Sequence, residues 1–218
     1  MNRRILTLWS LVFLFSTLLS AQTAKPGWTK YIINGGEVSL SLPNSLKLYQ
    51  SKDKGFKATK NADGSYSVRS EDSIIFVPVG DQTDYDKENE MYITNMVMVQ
   101  IDEGDDGLSK AIKYMKKSSL VRNMAGWALK KAVGMKQSKD QSLEVTDSEK
   151  VLLNKVGNKD AVSLGLSVKD DQKREGDAKI YLIDGNDKGV VLLFMNRKGQ
   201  TGFTKQDRTE ILSSIRVQ

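Results

Sequence analysis

Two residue types are missing from this 218-residue chain: it has no cysteine and no histidine, against 33 lysines and arginines and 27 acids, for a formal net charge of +6. Those absences exclude Ser-His-Asp and Cys-His triads, thiol redox chemistry and ordinary zinc sites, because they remove the commonest neutral-pH base and the commonest metal ligands. The charge is a statement about solubility and only a weak pointer to anionic partners; with so many acids, and no aromatics interleaved with the bases, it does not indicate nucleic acid.

In chain order, Arg3 and Arg4 precede an apolar run from Ile5 through Leu19, followed by Ser20, Ala21 and Gln22. A positive start, a short apolar core and a small-residue exit are what the export machinery reads. The run is about fifteen residues, broken by Thr7, Ser10 and Ser16, and falls short of the ~20 needed to span a bilayer. Residues 1–21 are therefore expected to be a cleavable signal, cut after Ala21, with Thr23 and Ala24 as alternative exits. What remains, 22–218, is expected to be one domain working in the periplasm or secreted. Losing Arg3 and Arg4 lowers the formal charge from +6 to +4 on a 197-residue mature chain, long enough for one sizeable core. Without cysteine that core carries the stability by itself, and no lipoprotein anchor can be attached.

Residues 28–33 are β-prone, Asn34-Gly35-Gly36 signals a turn, and 37–42 alternates so that Val38, Leu40 and Leu42 share a face; Pro43 ends this first hairpin. From 49 to 73 the pattern is polar, with a turn at Asn61-Ala62-Asp63-Gly64 and a short strand marked by Tyr66 and Val68. Residues 74–77 read as a buried strand closed by Pro78, 81–90 as an acidic loop, and 91–101 as another strand. Asp105-Asp106-Gly107 leads into a helical segment from Leu108 to about Met135. There Leu108, Ile112 and Met115, then Met124, Ala128 and Met135, follow helical spacing, while Ser118-Ser119-Leu120-Val121 suggests a break. After a polar connection at 136–141, strands are expected near 150–156, 161–168, 178–183 and 189–196, the last two joined by a hairpin loop. Thr204 can cap a terminal helix whose buried side is Ile211, Leu212 and Ile215. The pattern is α+β: a largely antiparallel β-sheet covered by helices.

Three segments carry a resemblance: Val38-Ser39-Leu40-Ser41-Leu42-Pro43, the 179–194 hairpin with Lys179-Ile180-Tyr181-Leu182-Ile183 and Gly189-Val190-Val191-Leu192-Leu193-Phe194, and the ending Glu210-Ile211-Leu212-Ser213-Ser214-Ile215-Arg216-Val217. Together they resemble the Mog1/PsbP-like group, including its exported bacterial members, over nearly the whole mature chain. The resemblance implies an α/β/α sandwich around an antiparallel sheet. It also implies a binding or assembly-assisting role, as with a small-GTPase partner in one branch and a photosystem subunit in another. Some envelope members are lipoproteins, from which a chain without cysteine departs. No residue-by-residue functional motif carries over.

Charge is segregated. Nine acids (Asp81, Asp84, Asp86, Glu88, Glu90, Asp102, Glu103, Asp105, Asp106) face one base, Lys87, between 81 and 106; then 108–139 holds nine bases and no acid. Lys110, Lys113, Lys116, Lys117, Arg122, Lys130 and Lys131 of that segment are the candidate contacts to an anionic surface. The simpler reading is a solvated helix face beside the acidic loop. Asp184-Gly185-Asn186-Asp187-Lys188-Gly189 begins like a calcium loop but has Lys188 at the fifth position and Met195 at the twelfth, so a hairpin turn explains it better. Asp102-Glu103-Gly104-Asp105-Asp106 is better explained by helix capping than by a bound cation. Trp28 and Trp127 read as core anchors, and Met91, Met96, Met98, Met115, Met124 and Met135 as core filling. For catalysis only a surface carboxylate with Lys179 or Lys150 can be assembled, and no spacing forces them together. The expectation is an exported non-catalytic module with an unidentified protein partner, without cofactor or metal. The alternatives are a peripheral binder of anionic lipid and a carboxylate-based hydrolase.

Overall fold

The computed structural model describes residues 25–49, 56–71, 73–79, 93–102, 107–133, 143–185 and 188–218. The expected signal, the whole acidic loop 81–90, Met91, residues 103–106 of the segment before the helix, Met135 and the 136–141 connection lie outside the described residues.

Two sheets are present. The smaller contains β1 (Trp28–Ile33), β2 (Val38–Pro43), β4 (Lys57–Lys60), β5 (Tyr66–Arg69) and β13 (Arg216–Val217), in the order β13-β2-β1-β5-β4. The larger contains β3 (Leu46–Leu48), β6 (Ile74–Pro78), β7 (Met96–Asp102), β8 (Leu143–Ser148), β10 (Lys159–Asp170), β11 (Glu175–Asp184) and β12 (Gly189–Arg197), in the order β3-β6-β7-β12-β11-β10-β8. β9 (Leu152–Val156) pairs with the first half of β10, and β8 with its second half. All described pairings are antiparallel except β1 with β5.

Alternation sets which way each strand faces. In β2 the apolar phase Val38, Leu40 and Leu42 is buried to 2% exposure or less, as the sequence pattern requires, and it points into the space between the sheets. The middle strand, β12, is apolar in both phases, which a strand can afford only when both of its faces are covered. Val190, Leu192 and Phe194 join the core between the sheets, with Phe76, Tyr31 and Ile33. Leu193 and Met195 join a second core on the opposite face, with Ile112 and Met115.

The helices supply that second cover and part of the first. α1 (Gly107–Lys117) and α2 (Ser119–Val133) lie over the outer face of the large sheet. α3 (Lys205–Ser214) packs through Ile211 into the core between the sheets and against β2, where Ser214 Oγ accepts from the Ser41 amide at 2.9 Å. The α+β class, largely antiparallel with helices on both sides, therefore holds. Periodicity does not separate the second sheet: a single sheet is what the pattern predicts, but the N-terminal hairpin belongs to a smaller sheet that shares a core with the large one.

α3 begins as read. The Thr204 hydroxyl accepts from the Asp207 amide at 3.0 Å and the Asp207 carboxylate accepts from the Thr204 amide at 2.9 Å, a reciprocal cap that satisfies two otherwise orphaned donors. Thr204→Ala should lower unfolding free energy by about 0.5–2 kcal/mol, read as a fall in the urea midpoint without a change in slope. An unchanged midpoint would mean that the cap contributes nothing.

Candidate functional site

The helical layer holds a feature that a solvated globular surface does not ordinarily show. Ser118 interrupts the helix, as the sequence suggested, yet two ladder bonds cross the break: the Ser118 amide donates to Tyr114 O and the Arg122 amide to Ser118 O, both at 3.1 Å. The Ser118 hydroxyl caps α2 by accepting from the Val121 amide at 3.3 Å. The last carbonyls of α1 find a different donor: Arg122 Nη1 reaches Met115 O at 2.5 Å and Lys116 O at 3.5 Å.

α2 turns its small residues inward. Ala125 and Leu129 pack on the second core, and Gly126 lies so close to Val151 that an added Cβ would stand 2.7 Å from Val151 Cγ2. On the opposite side of the helix, Leu120, Met124 and Trp127 are 67%, 62% and 65% exposed. These three sit at i, i+4 and i+7, a single seam along the outer face. The same spacing continues to exposed Lys131 at the C-terminal end, and before the Ser118 break exposed Lys117 and Lys113 lie on α1. It is an apolar centre with cationic ends, and Tyr114, 64% exposed, stands beside it on α1. The Lys131 ammonium sits 5.0 Å from the centre of the Trp127 ring.

This corrects two readings. Trp127 and Met124 were expected in the core and are instead on the surface. Both helix faces are apolar enough to be buried, and the smaller side chains won because they let the backbone approach Val151 and β8. Trp28 does pack against the core, and Met96 and Met115 are buried, as read.

The seven candidate bases divide. Lys131 lies on the exposed seam, and Lys110, Lys113 and Lys117 are exposed on α1. Arg122 is turned inward onto the end of α1, Lys116 pairs with Asp160, and Lys130 donates to Ser148 Oγ at 3.4 Å. Lys155 also reaches Asp160, at 2.7 Å. The two ammonium groups, Lys116 first and then Lys155, hold the Asp160 pKa below its usual value. A carboxylate with a depressed folded pKa adds stability above its unfolded value of about 3.9 and loses it as pH falls below that. The stability gap between wild type and Asp160→Asn should thus be present at neutral pH and close through the acid limb; a gap that persists at low pH would exclude the ion pairs as its source. Its size should be small, since solvent screens such pairs.

The other candidates resolve simply. Of the 184–189 segment, Asn186 and Asp187 lie outside the described residues; its ends close two antiparallel strands, with Asp184 paired to Gly189 and the Gly185 amide donating to Lys188 O at 2.9 Å. Among the described residues no three acidic side chains gather as a metal site would need. Lys179 pairs with Glu149, which crosses the bare backbone of Gly165 to reach it, and Lys150 is exposed in the connection between β8 and β9.

Two cavities flank α3. One of ≈ 300 Å³ is lined by Lys25, Trp28, Ser214, Arg216 and a single acid, Glu210; the other, of ≈ 690 Å³, is lined by Lys155, Asn158, Thr209 and Arg216, with no acid. Glu210 accepts from Lys25 at 2.7 Å and from Gln206 at 3.0 Å, which holds its pKa down. A general acid needs the opposite shift. Ser214 is engaged too, donating to Ile211 O at 2.7 Å. Neither cavity brings together the carboxylate pair that the hydrolase reading requires.

No protein-family model and no curated protein matches the chain. Among solved structures, a crystal structure from Bacteroides thetaiotaomicron matches at 12% identity and TM-score 0.49, covering 88% of this chain and 49% of that one, so this chain spans about half its length. The solution structure of cyanobacterial PsbP (CyanoP) from Synechocystis matches at 11% identity and TM-score 0.50, covering 91% of this chain and 96% of that one. At that identity the likeness is one of architecture, and it agrees with the sequence resemblance: this chain has a PsbP-like α+β fold.

Proposed function

We propose that this chain is an exported, non-catalytic accessory module that acts outside the cytoplasm by contact, through the outer face of α1 and α2. The observation that carries the reading is the seam of Leu120, Met124 and Trp127, each more than three-fifths exposed and bounded by lysines. Single exposed apolar side chains need no explanation, but an aligned set with a polar rim is how docking surfaces are built. The export-like leader supports the compartment, and no helix among the described residues is long and apolar enough to cross a membrane. The PsbP-like fold supports an accessory role by analogy only.

The test is site-specific photo-crosslinking in the cell that makes the protein, with the full chain as expressed. A photoreactive residue at Met124 should give a discrete adduct, to protein or to lipid, that the same residue at exposed Lys57 on β4 does not. Identical labelling at both positions, or none at either, would overturn the reading. N-terminal sequencing of the exported material should begin at Gln22; recovery of intact residues 1–21 would remove the assignment of the leader as a cleaved signal.

A further inference from the structure

We infer that the surface docked by this face is an anionic bilayer, with α2 lying in the headgroup plane. This rests on the contact reading above and names its partner.

Five observations point the same way. On α2 Leu120, Met124, Trp127 and Lys131 are all exposed at steps of three or four residues, and Lys113 and Lys117 are exposed on α1 just before the Ser118 break, so the apolar centre has exposed cations on both sides of it in the chain. A helix on a lipid interface needs that order: apolar side chains entering the acyl boundary, and long basic stems reaching back to the phosphates. Residues 107–133 contain seven bases and no acid, so nothing in the two helices repels an anionic surface. The bases that fold maintenance consumes, Arg122 and Lys116, are off the seam, whereas Lys131 is on it and Lys113 and Lys117 are exposed on α1.

The aromatic rings are the fourth. Trp127 and Tyr114 are the amphipathic rings that settle at headgroup level, and the Lys131 ammonium beside the Trp127 ring puts a cation at that same depth. The fifth is shape. The seam is the outward ridge of a helix whose inward side is already occupied by Val151 and the second core, so it offers a convex edge to a broad surface. A protein partner would have to supply a groove lined with acids. A bilayer meets a convex cationic-apolar ridge without any such fitted counterpart.

The test uses the purified processed protein in vesicle flotation, with phosphatidylcholine alone and with phosphatidylcholine containing phosphatidylglycerol, at low and at high salt. Recovery is expected on the phosphatidylglycerol vesicles only, falling as salt rises. Each lysine removed from the set Lys113→Gln, Lys117→Gln and Lys131→Gln should weaken binding about fivefold. Trp127→Glu should abolish recovery while the thermal melt stays that of wild type, which separates lost docking from lost folding. Equal recovery on neutral vesicles, no recovery on either, or indifference to Trp127→Glu would overturn the lipid assignment. The crosslink at Met124 tells the two readings apart: an adduct to one protein leaves docking standing and removes the bilayer, and no adduct removes both.

Discussion

Phe194→Ala is expected to cost about 3–5 kcal/mol of unfolding free energy, whereas Trp127→Ala should change it by no more than about 0.5 kcal/mol. Phe194 is 1% exposed on β12, the middle strand of the large sheet, and faces the space between the sheets. Tyr181 and Phe203 meet it edge-on, each with ring centres 6.0 Å away. Truncation removes both edge-to-face contacts and opens a void among strands that pair on both sides, so little can collapse into it. Trp127 has the larger side chain, but 65% of it already lies in water, and folding buries little of it. Urea titrations of the two variants under identical conditions decide the matter. Comparable losses would mean that Trp127 is a core residue, and the docking seam would fall with that result.

Gly176→Ala should destabilise by about 1–3 kcal/mol, although it adds a single methyl group. Gly176 lies on β11 opposite Arg197 of β12, and an added Cβ would stand 2.7 Å from the Asn196 carbonyl oxygen and 2.4 Å from Ile93 Cγ2. The oxygen belongs to a paired backbone and cannot rotate aside, so the strands must separate locally. Gly165 is the control. There the nearest atoms, at 2.5 Å, are the end of the Glu149 side chain, which can swing into solvent and lose only its pairing with Lys179. An exposed pair of that kind is worth about 0–1 kcal/mol. Gly165→Ala should therefore be nearly silent in a thermal melt, with Gly176→Ala clearly shifted. The reverse order would mean that the strand approach at Gly176 is looser than its geometry states.

The hydrolase alternative loses its physical footing at Glu210. A carboxylate that accepts from Lys25 and Gln206 stays ionised at neutral pH and has no proton to donate to a leaving group. Ser214, which lines the same cavity, spends its hydroxyl on Ile211 O and the Ser41 amide, holding α3 to β2. Those bonds serve the seam between α3 and the small sheet.

The sequence alone was enough for the first hairpin, the capped last helix, the helix break at Ser118 and the α+β class. Each of these rests on interactions between near neighbours: Asn34-Gly35-Gly36 turning the chain, Thr204 and Asp207 closing a cap, Ser118 accepting from an amide three residues on. Short β3 and β4, the stretch of β8, and the division into two sheets escaped it, since a three- or four-residue strand is defined by the strand it pairs with. The orientation of α2 was decided only in the fold. Its sequence carries two apolar stripes, Ala125 with Leu129 and Leu120 with Met124 and Trp127, and periodicity measures their spacing without saying which is covered. Hydrophobicity alone would bury the larger stripe. Close approach decided otherwise, because Gly126 and Ala125 allow the backbone to settle against Val151, and that left the tryptophan seam facing outward between its lysines.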